Sequence, residues 1–199
     1  MPPACDESTR IAALNDLLQL EHDALPAYTL AIAGLRDPTH RARLEAFRDD
    51  HRRHVRELST LIRQRGGVPL HLPHLPTGFL KLGVQMAGLG GGDGAILLAF
   101  RANEWQSRAK YGRFAHEQGL EPEVADVLRR AAEDEARHYA WAATTLGELG
   151  FGSATPVGMA NATFARLHGM AAEGIEASGR VGLEVLARID SLRAVNTRA

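Results

Sequence analysis

Glu135 and His138 are the residues of this sequence best suited to chemistry, because they stand three positions apart on an otherwise apolar helical stripe. The stripe comprises Val124, Leu128, Ala131, Glu135, His138, Ala142 and Thr145. A carboxylate and an imidazole on the buried side of a helix cost free energy unless something compensates them. A bound metal ion would compensate both groups, so this pair predicts a metal site.

An internal repeat provides matching residues elsewhere in the chain. An offset of 83 residues superimposes Glu21 on Glu104, and an offset of 84 superimposes His51 on Glu135. The same offsets align Tyr28 with Tyr111, Asp50 with Asp134 and His54 with His138. The shared spacing indicates two related halves, in which one helix gives a carboxylate and the next gives two ligands, as in a bundle that holds two metals.

Apolar residues at helical spacing predict an all-α fold without strands. Four long helices and a fifth C-terminal helix are expected, each with a capping residue or proline near its start. Their expected bounds are Ser8 or Thr9 to Leu35, Thr39 to Arg65, Asp93 to Gln118, Pro122 to Leu149, and Thr155 to Ala177. Pro26 is expected to kink the first helix, and a weaker helical pattern covers Val181 to Leu192.

The connection between the second and third helices is unusually long. It covers residues 66–94 and contains an apolar piece, Gly78 to Leu89, that is expected to form one or two helical turns. A connection of this length allows the two flanking helices to run parallel. The chain is therefore interpreted as a single domain, 1–199, with a bundle over 8–149 and a helical extension over 155–193.

Over Ser8 to Leu149, the repeat and its polar residues resemble the ferritin-like superfamily of diiron-carboxylate proteins, which includes rubrerythrin. The resemblance implies an up-down-down-up four-helix bundle with a crossover between helices two and three. It implies two metal ions, with iron expected and manganese or mixed occupancy as alternatives. The ligands implied are Glu21, His54, Glu104, Glu135 and His138, with His51 at the sixth position.

His51 departs from the family pattern, which has a glutamate at this position. An imidazole that binds through one nitrogen cannot bridge two metals as a carboxylate does. Three carboxylates and two divalent ions sum to +1, so ferric iron should be stabilised less. Both a dinuclear site and a site with one firmly held metal are compatible with this change. Asp50 could replace His51 as a ligand, but it stands off the apolar stripe and is the weaker candidate.

Four further residues are expected to surround the ligands. The resemblance implies that Asp50 accepts a hydrogen bond from His138 and that Asp134 accepts one from His54, each across to the opposing helix. Tyr28 and Tyr111 are either redox-active or large core residues with bonded hydroxyl groups, and the second interpretation is favoured. His71 and His74 flank a proline-rich turn and suggest no partner.

Composition limits the other possibilities. The 199 residues include 23 basic and 24 acidic side chains, with a formal net charge of −1, which gives no support for nucleic-acid binding. Cys5 is the only cysteine, so a disulfide framework or a thiolate metal site is not available. No charged start precedes an apolar segment and no run of eighteen apolar residues occurs, so a cytoplasmic protein without membrane contact is expected.

Two functions are compatible with these features. The first is redox chemistry with dioxygen or peroxide, of an oxidase, peroxidase or hydroxylase type, with an unknown electron donor or substrate. A hydroxylase would need an apolar channel, for which Phe79 to Ala87 is the candidate wall. The alternative is a non-catalytic metal-binding module in stress response, metal handling or protein interaction. The chain lacks the cysteine-rich iron module of rubrerythrin, and the resemblance also implies a possible homodimer.

Overall fold

Helices form all the regular structure in the part of the chain that the computed structural model describes, residues 7–196, with side chains described for residues 7–181. The expected all-α fold is therefore confirmed for these residues; Cys5 lies outside them. The helices are α1 (Glu7–Gly34), α2 (Pro38–Gln64), α3 (Thr77–Gly88), α4 (Gly92–Ala115), α5 (Pro122–Glu148) and α6 (Pro156–Asn196), with a 3-10 turn (Leu89–Gly91) between α3 and α4.

Two helix starts are fixed by side-chain caps. Asp37, rather than the expected Thr39, caps α2: its carboxylate accepts the backbone N–H groups of Thr39 and His40. The hydroxyl of Thr155 accepts the N–H of Gly158 and caps α6, as expected. In both helices proline takes the first position, where its missing N–H costs nothing.

Asp93 was expected to cap the helix that follows it, but it lies inside the first turn of α4, which begins at Gly92. Its two carboxylate oxygens accept the backbone N–H groups of Arg36 and Asp37, at 2.9 and 3.0 Å. Gly92 has a φ of 73°, a left-handed value that glycine adopts without a steric penalty, and this lets the chain turn from the 3-10 segment into α4. Asp93 therefore fastens the turn between α1 and α2 to the start of α4.

The C-terminal extension also differs from expectation. The fifth helix was expected to end near Ala177, with a separate weaker segment after it, but α6 continues through both without a break. Ile189 and Leu192, the contacts expected for the weaker segment, lie outside the described side chains. The crossover was expected to contain one or two helical turns, but it forms the 12-residue helix α3, about three turns.

Packing of the helices encloses a polar layer between two apolar clusters. α1 packs along α2 and α4 along α5, while α3 and α6 pack against α1 and α4. On one side of the layer lies a cluster that includes Leu14, Leu17, Leu58, Ile62 and Leu128. On the other side lies a cluster that includes Ile32, Leu44, Phe47, Ile96 and Leu146. The polar layer is thus shielded from water along the bundle axis in both directions.

Helix α3 turns its polar side chains inward. Lys81 and Gln85 are buried, whereas Phe79, Leu80 and Met86 are exposed. The apolar piece of the crossover therefore does not line the interior, which is the opposite of what an apolar channel requires.

One stretch of the described residues, Thr77–Ala115, is long and apolar enough to cross a membrane by length and composition alone. Its most apolar 18-residue window has a mean hydropathy of 1.2, and 33% of that window is buried inside the protein. A single stretch of this kind is weak evidence for a membrane span, because core helices pass the same test.

Candidate metal centre

Four helices bring six ionisable side chains into the polar layer, and all six are at least 98% buried. Glu21 comes from α1, His51 and His54 from α2, Glu104 from α4, and Glu135 and His138 from α5. Their ligand atoms form two groups, each with all atoms within 4.8 Å of one another: Glu21, His51, His54 and Glu135, and His51, Glu104, Glu135 and His138. His51 and Glu135 belong to both groups, so the two groups adjoin.

The outer nitrogens of two histidines are bonded to aspartates on the opposing helix. His54 Nε2 donates to Asp134 Oδ2, and His138 Nε2 donates to Asp50 Oδ2, both at 3.1 Å. This is the crossed pairing that the family resemblance implies. With the Nε2 atoms engaged, the Nδ1 atoms face the cluster: that of His54 lies 3.7 Å from Glu135 Oε1, and that of His138 lies 3.6 Å from Glu104 Oε2.

Two arginines hold these aspartates in place. Arg53 contacts both Asp50 and Asp134, and Arg137 does the same from the other helix. The guanidinium groups stay on the outer side of the aspartates and are partly exposed. They compensate the aspartates rather than the carboxylates of the cluster.

His51 occupies the position where the repeat has a glutamate, and its two nitrogens differ. Nδ1 lies 2.6 Å from Glu21 Oε2 and 3.7 Å from Glu135 Oε1. Nε2 is buried and has no partner within the protein. A single proton on Nδ1, donated to Glu21, would leave Nε2 as a free ligand atom.

Tyr28 and Tyr111 are fully buried and their hydroxyl groups contact the cluster. The hydroxyl of Tyr111 donates to Glu21 Oε1, and that of Tyr28 lies 3.3 Å from His138 Nδ1. Burial, followed by the charges of Glu21 for Tyr111 and Glu104 for Tyr28, raises the pKa of both phenols well above the usual value. Both therefore stay protonated and act as hydrogen-bond donors at neutral pH.

The pKa values show how poorly the cluster compensates its own charges. Burial raises the pKa of Glu135 well above its ordinary value, and the charges of Glu104 and Glu21 raise it further. Burial also raises the pKa of Glu21, but the charges of His51 and His54 outweigh burial and lower the pKa of that carboxyl. Burial lowers the pKa of His54, yet Glu21 and Asp134 outweigh it and raise that pKa to about 9. A metal ion would therefore displace protons on binding.

A second buried polar network, which the sequence did not reveal, lies between α1, the 66–76 loop, α3, α4 and α6. Its members are Asp16, Asp23, His74, Lys81, Lys110 and Glu176, with Arg180 at its edge. Asp16, His74 and Glu176 also come close enough together to hold a metal ion. Lys110 Nζ, however, lies 2.9 Å from Asp16 Oδ1 and 2.7 Å from Glu176 Oε2, so an ammonium group already takes the position of a cation.

The two networks differ in how their charges are compensated. Within residues 7–181, no lysine or arginine contacts Glu21, Glu104 or Glu135, whereas each acid of the second network contacts a lysine. Five buried ligand atoms of the first cluster have no hydrogen-bond partner in the described part of the protein: His51 Nε2, His54 Nδ1, Glu104 Oε2, Glu135 Oε1 and Glu135 Oε2. The first cluster can therefore hold a metal, and its oxygen and imidazole donors suit first-row transition metals.

Residues 9–75 match the family model of a domain of unknown function, DUF2383. This domain is a helical domain of the ferritin-like type. The matched residues cover most of α1, all of α2 and the loop after it, and they contain Glu21, His51 and His54 but none of the ligand candidates from α4 and α5. No curated protein and no solved structure matches the chain.

Proposed function

We propose that this protein is a ferritin-like metalloprotein that holds two iron ions and uses them for redox chemistry with dioxygen or peroxide. The observation that carries the proposal is the set of five unpartnered ligand atoms in the buried cluster. A buried polar atom without a partner costs about 1–3 kcal/mol, and more if it is charged. A bound cation pair removes this cost for all five atoms at once.

The contacts at the helix ends support an up-down-down-up bundle. At one end, Arg10 near the start of α1 and Arg65 after α2 both pair with Glu121, the residue before α5. At the other end, Asp93 at the start of α4 bonds the residues between α1 and α2. These contacts place the start of α1 beside the end of α2 and the start of α5, and the start of α4 beside the end of α1.

The side chains around the cluster would prepare it for this chemistry. Asp50 and Asp134 bond the Nε2 atoms of the two histidines and leave their Nδ1 atoms facing the cluster, where they would hold metal ions. Tyr111 donates a hydrogen bond to Glu21 at the same layer, and the apolar clusters exclude bulk water. When bound, two ferrous ions would supply two electrons, which with two protons reduce dioxygen to hydrogen peroxide or hydrogen peroxide to water.

One observation, the presence of His51 in the cluster, supports the alternative of a non-catalytic metal-binding module. The hydrogen bond of His51 to Glu21 and its single free nitrogen give the two metal positions different ligand sets, with Glu135 as the one carboxylate shared by both groups. A module that holds metal without turnover would need no second bridge. Stress response, metal handling or protein interaction would then be its role.

The proposal includes an unknown electron donor or substrate, a possible homodimer and a cytoplasmic location. A reducing compartment would keep the ions ferrous until the oxidant arrives.

Metal analysis of protein from cells supplied with iron and manganese tests the proposal. We expect two equivalents of iron per chain, and an oxo-bridge absorbance after anaerobic ferrous protein is exposed to air. The Glu104→Ala variant should lose at least one equivalent. Unchanged metal content in this variant, or a wild-type protein that binds no metal at all, would overturn the metal assignment.

Restoring the family residue tests the role of His51. We expect His51→Glu to raise iron occupancy, or the rate of ferrous oxidation by about ten-fold, because a second bridging carboxylate neutralises the ligand set and favours the ferric state. Occupancy can be measured by elemental analysis and the rate by stopped-flow absorbance. His116→Glu is the matched control, since His116 is exposed and bonds only its own helix. Equal behaviour of the two variants would place His51 outside the metal ligands.

A further inference from the structure

Two histidines that belong to neither buried network face each other at the surface of the bundle. His22 lies on α1, and His71 lies in the loop that follows α2. The Nε2 atom of His22 is 3.1 Å from the Nδ1 atom of His71. The rings meet edge to face, with their centroids 5.3 Å apart and an angle of 80° between their planes. His71 is exposed and His22 is partly exposed, so the pair is open to solvent.

Each of these two rings has the other as its hydrogen-bond partner. Within residues 7–181, no acid forms an ion pair with either ring, which distinguishes them from the other histidine of the same loop. The ring of that histidine, His74, lies 2.9 Å from Asp23 and 3.0 Å from Asp16. His22 and His71 therefore present two nitrogen atoms that no acid of the described chain engages.

The loop that carries His71 is fastened to α1 on both sides of this residue. Before it, Asn15 Oδ1 accepts the backbone N–H of Leu70 at 2.8 Å. After it, Asp23 Oδ1 accepts the backbone N–H of His74, also at 2.8 Å. Asn15 and Asp23 both lie on the helix that carries the other histidine of the pair. The two imidazoles are therefore held together in advance, and a ligand that contacts both rings binds without the cost of ordering the loop.

The spacing of the two nitrogens fits two ligands of one metal ion. Zinc binds imidazole nitrogen at about 2.0–2.1 Å, so two imidazoles on a tetrahedral ion have their nitrogens about 3.3 Å apart. The observed 3.1 Å is only slightly shorter. A neutral imidazole has one proton, which can lie on the nitrogen that faces away from the ion. Zinc and copper suit imidazole ligands, and both stand above ferrous iron in the usual order of affinity.

We propose that His22 and His71 bind one zinc or copper ion at the surface, with water in its other positions, and that this ion fastens the crossover loop to α1. The site shares no ligand with the buried cluster and goes beyond the proposed function. The two histidines are 49 residues apart, so an ion that contacts both rings binds the folded chain in preference to the unfolded one and stabilises the fold.

Equilibrium dialysis against zinc tests this site without any turnover. We expect the wild type to bind one equivalent of zinc more than His71→Gln, because glutamine removes one of the two imidazoles and should weaken binding at least about ten-fold. His116→Gln is the matched control and should bind as much zinc as the wild type, since His116 is exposed and its ring bonds only a carbonyl of its own helix. Equal zinc content in the wild type and His71→Gln would overturn the proposal. His22→Gln repeats the test if His71→Gln does not fold.

This comparison is made between proteins that have the same buried cluster. The difference of one equivalent is therefore expected whatever the cluster holds. A wild type that contains no iron but still binds one zinc ion more than His71→Gln would refute the proposed function and leave the surface site in place.

Crystals of the wild-type protein soaked in zinc chloride locate the ion directly. An anomalous peak should lie about 2.0–2.1 Å from both His22 Nε2 and His71 Nδ1. Zinc should also raise the melting temperature of the wild type by more than that of His71→Gln, because only the wild type gains the link between the loop and α1. A peak that contacts one ring alone would indicate an adventitious ion only, and this result or the absence of a peak would overturn the proposal.

Discussion

Replacing Glu135 with glutamine is expected to remove nearly all bound metal from the protein while leaving its fold intact. Glu135 is the one carboxylate that belongs to both groups of ligand atoms, and neither of its oxygens has a protein partner. Both metal positions should therefore lose an anionic ligand at once. In the metal-free protein burial and the charges of Glu104 and Glu21 raise the pKa of Glu135, and glutamine has nearly the same shape as its carboxyl without the charge.

Two measurements separate metal loss from unfolding. Elemental analysis should give less than half an equivalent of iron for Glu135→Gln, against about two for the wild type. Metal-free forms of the two proteins should melt at nearly the same temperature by circular dichroism. Glu133→Gln is the control, because Glu133 is exposed on the same helix and pairs only with Arg129. Iron content in Glu135→Gln equal to that of the control would show that Glu135 is not a ligand.

Sequence reasoning identified the members of the buried cluster because they follow helical spacing and occur twice. The repeat of a Glu, a Tyr and a five-residue motif can be recognised in the sequence without knowledge of the loop structures. Helical periodicity then predicts that each member lies on the inner face of its helix. The crossed contacts of Asp50 and Asp134 were expected from the family resemblance. The fold class could be predicted from the sequence for the same reason, since helical periodicity is a local property.

The second network could not be found in this way, because its members on the repeated helices α1 and α4 have no ionisable counterpart at the repeat offset. Asp16 and Asp23 lie on α1, Lys81 on α3, Lys110 on α4 and Glu176 on α6. The partners of each acid–lysine contact are separated by more than fifty residues, so the contacts depend on how distant helices pack. The role of Asp93 was misjudged for a similar reason: its partners, Arg36 and Asp37, are 57 and 56 residues away.

The two networks lie side by side, and the charges of their buried carboxylates are compensated in different ways. In the second, two lysines compensate buried acids directly, so the network contributes to stability and leaves no free ligand atom among its carboxylates. In the first, the arginines reach only the outer aspartates, and within residues 7–181 no lysine or arginine contacts the inner carboxylates. The network where α6 packs on the bundle therefore stabilises the fold, and the cluster between the four repeat-related helices is the one suited to bind metal.

Replacing Glu176 with glutamine is expected to lower the free energy of unfolding by about 3–5 kcal/mol, the usual cost of removing one partner from a buried ion pair. Glu176 is 97% buried and contacts Lys81 at 3.5 Å and Lys110 at 2.7 Å, and it also accepts hydrogen bonds from Thr77 and Gln106. Glutamine keeps the volume but leaves positive charge in the interior. Urea unfolding followed by circular dichroism measures the change.

The matched control is Glu173→Gln on the same helix. Glu173 pairs with Arg113, whose side chain is more than half exposed, so its loss should cost about 0–1 kcal/mol. If both substitutions cost the same, Glu176 does not hold α6 against the bundle through its charge.

The pH dependence of unfolding gives an independent check of the same residue. Burial raises the pKa of the Glu176 carboxyl, but Lys81 and Lys110 outweigh burial and lower it from 4.5 to about 2. A carboxyl with a lowered pKa stabilises the fold above its unfolded value, and this contribution disappears as the pH falls from 4.5 toward 2. A shift of this size corresponds to about 3 kcal/mol, close to the expected cost of the substitution. The difference in unfolding free energy between the wild type and Glu176→Gln should therefore be full at pH 6 and shrink steadily below pH 4.5. A difference that stays constant from pH 6 to pH 3 would mean that the ionised carboxylate of Glu176 is not what stabilises the docking of α6.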